Sequence, residues 1–158
     1  MNDKGAVGTG GEKDVVKLVA CPNCGRKLQL LPKNYPMYDV QCKGCSFRAQ
    51  VKTNDHKPMN TIYGAGWDIL NHVCKAGYMI PPLIANFEWE EDGQEQQVIL
   101  FFPFVPKGHI EKKTATRPNG KPLRMFNYVG LDKLPRIQLY PDAEETSTPL
   151  YTKTTPKK

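Results

Sequence analysis

Two Cys-x-x-Cys pairs constrain this chain more than any other feature: "CPNC" at 21–24 and "CKGC" at 42–45, with seventeen residues between them. Thiolates paired at this spacing fall in the window for tetrahedral Zn–S4 coordination. Gly25 and Gly44 lie beside and inside the knuckles, where a tight turn aims backbone amides at the sulfurs. The competing reading is four unrelated buried thiols, which the doubled spacing disfavours. Cys21, Cys24, Cys42 and Cys45 are therefore expected to hold Zn²⁺ in a closed, structural site, because no histidine or water position is implied among them. The fifth cysteine, Cys74, falls in a helical pattern and is expected to pack. His56, His72 and His109 are isolated in sequence.

An odd cysteine count argues against a disulfide framework and makes a reducing, cytoplasmic setting the default. No apolar run reaches bilayer length, and the N-terminus lacks the apolar core of a secretory signal, so no membrane partner is expected.

The second knuckle sits inside "YDVQCKGCSFRAQVKT". If Cys42 pairs with Phe47 across a four-residue loop, Gln41 opposes Arg48, Val40 opposes Ala49 and Asp39 opposes Gln50. Opposed residues share a face, and alternation adds Lys52 to it while Phe47, Ala49 and Val51 point the other way. An aspartate, a second oxygen ligand and a lysine two residues on are the working parts of a metal-dependent phosphodiesterase. A solvated polar face on a strand pair is the plain alternative, and at this level both stand.

The net charge is +6, and nearly all of it lies in one segment. From 107 to 124 the bases Lys107, Lys112, Lys113, Arg117, Lys121 and Arg124 face a single acid, Glu111. Such an excess without an amphipathic helix suits a polyanion, with a solvated loop as the alternative.

Elsewhere, residues 1–12 are Gly-rich and read as a flexible N-terminus, followed by a short apolar pattern at 12–20. The principal helix is expected within 59–77, ending at Gly77. Strands are expected at 35–42, 45–53, 82–90 and 96–106, with late strands near 123–132 and 136–140. The strand at 96–106 is apolar on both faces and should be central. Residues 142–158 read as a polar, disordered tail. The expectation is an α+β domain over 13–141, with a mixed β-sheet, one principal helix and an embedded four-cysteine zinc site.

The run "CPNCG…YDVQCKGCSFRAQVKT" resembles the DpnI-like restriction endonucleases (the Dam-replacing family). There the aspartate comes three residues before the third cysteine, as Asp39 does, and the acidic ligand and lysine follow by eleven and thirteen residues, as Gln50 and Lys52 do. "TIYGAGWDILNHV", "ILFFPFVPKGHI" and "VGLDKLPRIQLY" resemble later parts of the same domain, over approximately 20–141. The resemblance implies a restriction-endonuclease-like PD-(D/E)xK fold and a type II restriction-like, metal-dependent deoxyribonuclease acting on double-stranded DNA. It implies Asp39, Gln50 and the Val51 carbonyl as ligands of a catalytic Mg²⁺ or Mn²⁺, with Lys52 assisting the water. The six bases of 107–124 would lie along phosphates, with Trp67, Asn119 or Asn127 near bases.

This chain departs from the pattern at Gln50, where the family carries an acid; some branches of the fold use Gln-x-Lys. It also stops short of the C-terminal winged-helix domain that helps read methylated adenine, so methyl-directed specificity would rest on the nuclease domain alone, on a homodimer or on a separate DNA-reading subunit. The alternatives within the same fold are a catalytically inactive zinc-containing DNA-binding module and a structure-selective junction nuclease.

Overall fold

The structure, a computed structural model, describes residues 3–64, 66–142 and 150. Among these residues, two α-helices and nine strands form an α+β arrangement: α1 (Asp3–Leu18), β1 (Leu28–Leu30), β2 (Val40–Cys42), β3 (Arg48–Asn54), β4 (Ile62–Tyr63), α2 (Trp67–Lys75), β5 (Leu83–Glu91), β6 (Gln94–Phe102), β7 (Ile110–Thr116), β8 (Pro122–Tyr128) and β9 (Ile137–Tyr140). The main sheet has the order β1-β2-β3-β5-β6-β9, and a smaller sheet has the order β4-β8-β7. The main sheet is mixed because β3 and β5 run parallel while its other neighbours are antiparallel. Among the described residues, no helix is long and apolar enough to cross a membrane.

Alternation along β5 and β6 gives the main sheet two buried faces. Leu83, Ala85, Phe87, Leu100 and Phe102 point to one side, where Leu70 of α2 and Phe126 and Tyr128 of β8 cover them. Ile84, Ile99 and Phe101 point to the other, with Val40, Ala49 and Val51, and are covered by Val15 of α1 and by Val19 just beyond it. Apolar residues on both faces make β6 internal, between β5 and β9. Its turn from β5 is tight: Asp92 and Gly93 alone occupy it, at φ 52° and 77°, the pairing of positive values that two-residue hairpins favour.

Two expectations change here. The Gly-rich N-terminus is helical from Asp3, so the described residues hold two substantial helices rather than one. Glycine in a helix interior costs about 1 kcal/mol per residue relative to alanine, and burial of Val15 and Val19 opposes that cost. Gly11 is also required by packing, because a Cβ there would overlap the Thr53 hydroxyl on β3. The second helix is shorter than 59–77. Ile62 and Tyr63 pair with β8 instead, Gly64 lies where a side chain would overlap the Phe126 ring, and α2 begins only at Trp67. Cys74 packs against the core, as expected. The polar tail expected at 142–158 lies outside the described residues apart from Asp142 and Leu150, the latter packed against the core.

The four knuckle cysteines come together. The first knuckle closes on itself through an Ala20–Lys27 bridge and a Cys21 N–H···O Arg26 bond of 2.7 Å, then runs into β1. Pairing of Leu28 with Cys42 sets β1 beside β2, which carries the second knuckle alongside the first. All four sulfurs lie within 4.8 Å of one another, with Cys21–Cys45 at 3.7 Å and Cys24–Cys42 at 3.4 Å. A Zn–S4 tetrahedron with bonds of about 2.3 Å has edges of roughly 3.8 Å, so the donor set suits zinc. Backbone N–H groups of Asn23 and Gly44 point at the sulfurs of Cys21 and Cys42, at 3.4 and 3.2 Å. The Asn23 side-chain amide donates to Cys45 and, with the Phe47 backbone, holds that thiol down to about 6, which favours the thiolate a metal needs.

Two outcomes follow from this architecture. Protein purified without chelator should carry one zinc per chain, and Cys42→Ser should abolish that stoichiometry and destabilise by on the order of 3 kcal/mol, a Tm fall of roughly 10 °C by calorimetry. Gly11→Ala, which would stabilise an exposed helix by about 1 kcal/mol, should instead destabilise by roughly 1–3 kcal/mol through overlap with Thr53. Thr53→Ala in the same chain should recover most of the loss.

Candidate active site

The hairpin that the second knuckle closes has the register its spacing predicts. Gln41 pairs with Arg48 and Val40 with Ala49, and the Cys42 amide donates to the Phe47 carbonyl at 2.9 Å. Residues 35–39 do not extend β2, because Asn34 and Met37 adopt left-handed backbone with φ 72° and 67°. The ladder therefore stops one pair short of Asp39 and Gln50, and β3 continues with β5 on one side and an open edge on the other.

Asp39 fills the start of that edge. Its backbone is held from both sides: its N–H donates to the Ala49 carbonyl at 2.9 Å, and its carbonyl accepts from Leu31 at 2.8 Å. Its carboxylate takes over the missing ladder bond, with Oδ2 accepting the Val51 N–H at 2.7 Å. The N–H and C=O of one strand residue point to the same side, so the Val51 carbonyl is directed to this edge as well. The Gln50 N–H points the other way and bonds the Pro82 carbonyl at 2.9 Å.

Continuing the register puts Asp39, Gln50 and Lys52 on one face, that of Leu83 and Phe102, while Ala49 and Val51 take the opposite face. The Tyr128 hydroxyl, from the smaller sheet, donates to Gln50 Oε1 at 2.5 Å and so fixes the direction of the amide oxygen. Burial pushes the Tyr128 phenol up, aided by the nearby Asp39 charge, so it remains a neutral donor.

The charges of the cluster are strongly desolvated. Burial raises the Asp39 carboxyl above its ordinary value, against the lowering effects of the Val51 N–H and Lys52. Burial lowers the Lys52 ammonium, against the opposing charges of Asp39 and then Glu12. Glu12 of α1 belongs to this electrostatic group and is a residue that the sequence reading left out. Burial raises its carboxyl too, with Asp39 adding to the rise.

The basic segment forms the β7–β8 hairpin, closed by the turn Arg117–Lys121 with Gly120 at φ 81°. All six bases are exposed, but on different sides. Lys112 sits 5.6 Å from the Trp67 ring centre and Arg124 bonds Asp68 at 3.2 Å, so both tie the hairpin to α2. Lys107 caps the same helix at the Cys74 carbonyl, 3.2 Å away. Lys113, beside Glu111, faces away from the core, and Arg117 and Lys121 stand at the tip. Of the polar and aromatic candidates, Asn119 accepts the Lys121 N–H within the turn, Trp67 is half-buried, and Asn127 lines a cavity of about 600 Å³ with Thr53, Asn54 and His56. His109 bonds the Val129 carbonyl and His56 the Lys57 carbonyl; neither belongs to the Asp39 cluster.

The residues that sequence reasoning missed were hidden for different reasons. Tyr128 lies 78 residues from Gln50, and no local pattern links them. Glu12 was obscured by glycines, although Gly11, Val15 and Val19 repeat every four residues and mark a buried helix stripe.

No curated protein matches the sequence. The sequence model of the DpnI Dam-replacing family matches residues 7–132, a span that holds α1 from its second turn, both knuckles, β3 and the basic hairpin. The chain belongs to the DpnI Dam-replacing family, whose members are restriction-type nucleases for methylated DNA.

Proposed function

We propose that the protein is a Mg²⁺- or Mn²⁺-dependent DNA endonuclease of restriction type, whose centre is the open edge of β3. The observation that carries this reading is the Asp39 carboxylate bonded to the Val51 N–H at 2.7 Å, at the open edge of β3 that also carries Gln50 and Lys52. Asp39, the Gln50 amide oxygen and the Val51 carbonyl are hard oxygen donors suited to such a cation, and the Asp39 bond to Val51 uses one carboxylate oxygen and leaves the other for a ligand. The bound ion would polarise the scissile phosphate and lower the pKa of a water.

The protein's own groups do the rest. Tyr128 keeps the Gln50 oxygen in one orientation. Lys52, desolvated beside Asp39, places a cation where negative charge grows on the phosphoryl oxygens and can orient the attacking water. Lys113 on the outer side of the β7–β8 hairpin, and Arg117 and Lys121 at its tip, would follow phosphates. The family supports adenine-methylated DNA as the substrate.

Gln50 favours a second reading, a DNA-binding module that has lost its chemistry, because an amide offers one charge less than the family's acid. Plasmid cleavage separates the two. With Mn²⁺ the protein should nick or cut DNA, adenine-methylated plasmid in preference to unmethylated. Asp39→Asn and Lys52→Ala should each reduce the rate by roughly 10²–10⁴-fold while binding DNA as before. Salt-sensitive binding with no cleavage in any divalent ion, by the native chain or by Gln50→Glu, would establish the inactive module instead.

A further inference from the structure

Gln50 leaves the β3 edge with one carboxylate, Asp39, facing one ammonium, Lys52. A site of that composition is close to neutral, a poor place for a divalent cation, which binds more strongly as anionic ligands are added. The fold supplies a second carboxylate from an unexpected direction.

α1 crosses the sheet on the face opposite Gln50 and Lys52, and it does so at close range, since Gly11 leaves no room for a side chain over Thr53. Gly11, Val15 and Val19 form its buried stripe. On a helix at 100° per residue, Asp14 and Glu12 fall on opposite flanks of that stripe. Asp14 reaches towards β5, where it lines one cavity with Glu88 and, after burial, helps to raise that carboxyl. The sheet order is β2-β3-β5, so the other flank, with Glu12, points to the β2 side of β3. That is the side where the ladder has ended and where the Asp39 carboxylate lies in the sheet plane against Val51. A side chain on the α1 face can reach the opposite face only through such a gap. Glu12 is half-buried there, and its charge acts on both Asp39 and Lys52.

We propose that Glu12 is the second carboxylate of the divalent-metal site, entering through the open edge of β3 to supply the negative charge that Gln50 lacks. This rests on the endonuclease reading and deepens it. With Glu12 included, the cluster carries two carboxylates, one amide oxygen, one backbone carbonyl and one ammonium, the same formal charge as a site with an acid at position 50. The arrangement also accounts for the glycine at 11, since any larger residue would lift α1 off β3 and withdraw Glu12 from the gap.

The test is Mn²⁺ binding to the zinc-loaded full chain, read by calorimetry and by the loss of the free-ion paramagnetic resonance signal, with no DNA or turnover required. Glu12→Gln, nearly isosteric and half-exposed, should weaken Mn²⁺ affinity by at least roughly tenfold, and Asp39→Asn should abolish it. Adding Gln50→Glu to Glu12→Gln should restore affinity to the native level, whereas Gln50→Glu in a chain that retains Glu12 should gain less. Glu12→Gln binding Mn²⁺ as the native chain does, with Asp39→Asn still null, overturns the role of Glu12 and leaves the endonuclease reading standing. A native chain that binds no Mn²⁺ overturns both. Glu12→Ala, with its zinc content and circular dichroism measured alongside, guards against misfolding: if it folds and binds Mn²⁺ normally, the role of Glu12 is likewise rejected.

Discussion

Closure of the four-cysteine cluster is the interaction on which the rest of this structure depends. β2 is three residues long and β1 is also three, too short to hold a register by backbone bonds alone. The four sulfurs, gathered within 4.8 Å, fix where β2 lies against β3. A slip of one residue would move Asp39 off the Val51 amide and send Gln50 and Lys52 to the wrong face. Left-handed backbone at Asn34 and Met37 keeps β2 short. Because pairing ends at Val40 and Ala49, β3 acquires an open edge inside the sheet, and in that gap a carboxylate takes the place of a backbone acceptor.

That gap is polar in an otherwise apolar setting. Val40, Ala49 and Val51 are buried beneath α1 on one side, and Leu83, Phe102 and Tyr128 are buried on the other. Low surrounding polarity strengthens the interactions among Asp39, Lys52 and Glu12 and makes each charge costly without the others. The two layers contribute differently. The smaller sheet delivers the Tyr128 hydroxyl to Gln50, and α1 delivers Glu12 to the edge, so the hairpin read from the cysteine spacing is one of three elements that meet there.

Much of this was legible in the sequence, and the reasons are local. The knuckle spacing predicts a hairpin register, and the Gln41–Arg48 and Val40–Ala49 pairs follow it. The apolar run of β6 marked it as internal. What escaped depends on distant packing. Glycines in α1 read as mobility because their helix cost is local, whereas the burial of Val15 and Val19 and the close approach at Thr53 are tertiary. Ile62 and Tyr63 fit a helical pattern but pair with β8, since Gly64 must pass the Phe126 ring. The six bases formed one cluster in sequence, yet strand alternation and the pairing of Lys112 and Arg124 with α2 divide them over different sides of the hairpin.

The most direct test of the account is anomalous diffraction from crystals of the zinc-loaded protein soaked in Mn²⁺. The account predicts two metal positions: zinc among the four sulfurs, and a manganese peak about 2.0–2.3 Å from an Asp39 carboxylate oxygen, the Gln50 amide oxygen and the Val51 carbonyl. Full zinc occupancy with no anomalous density at the β3 edge, or with Asp39 and Lys52 directed to different faces of the sheet, would contradict it.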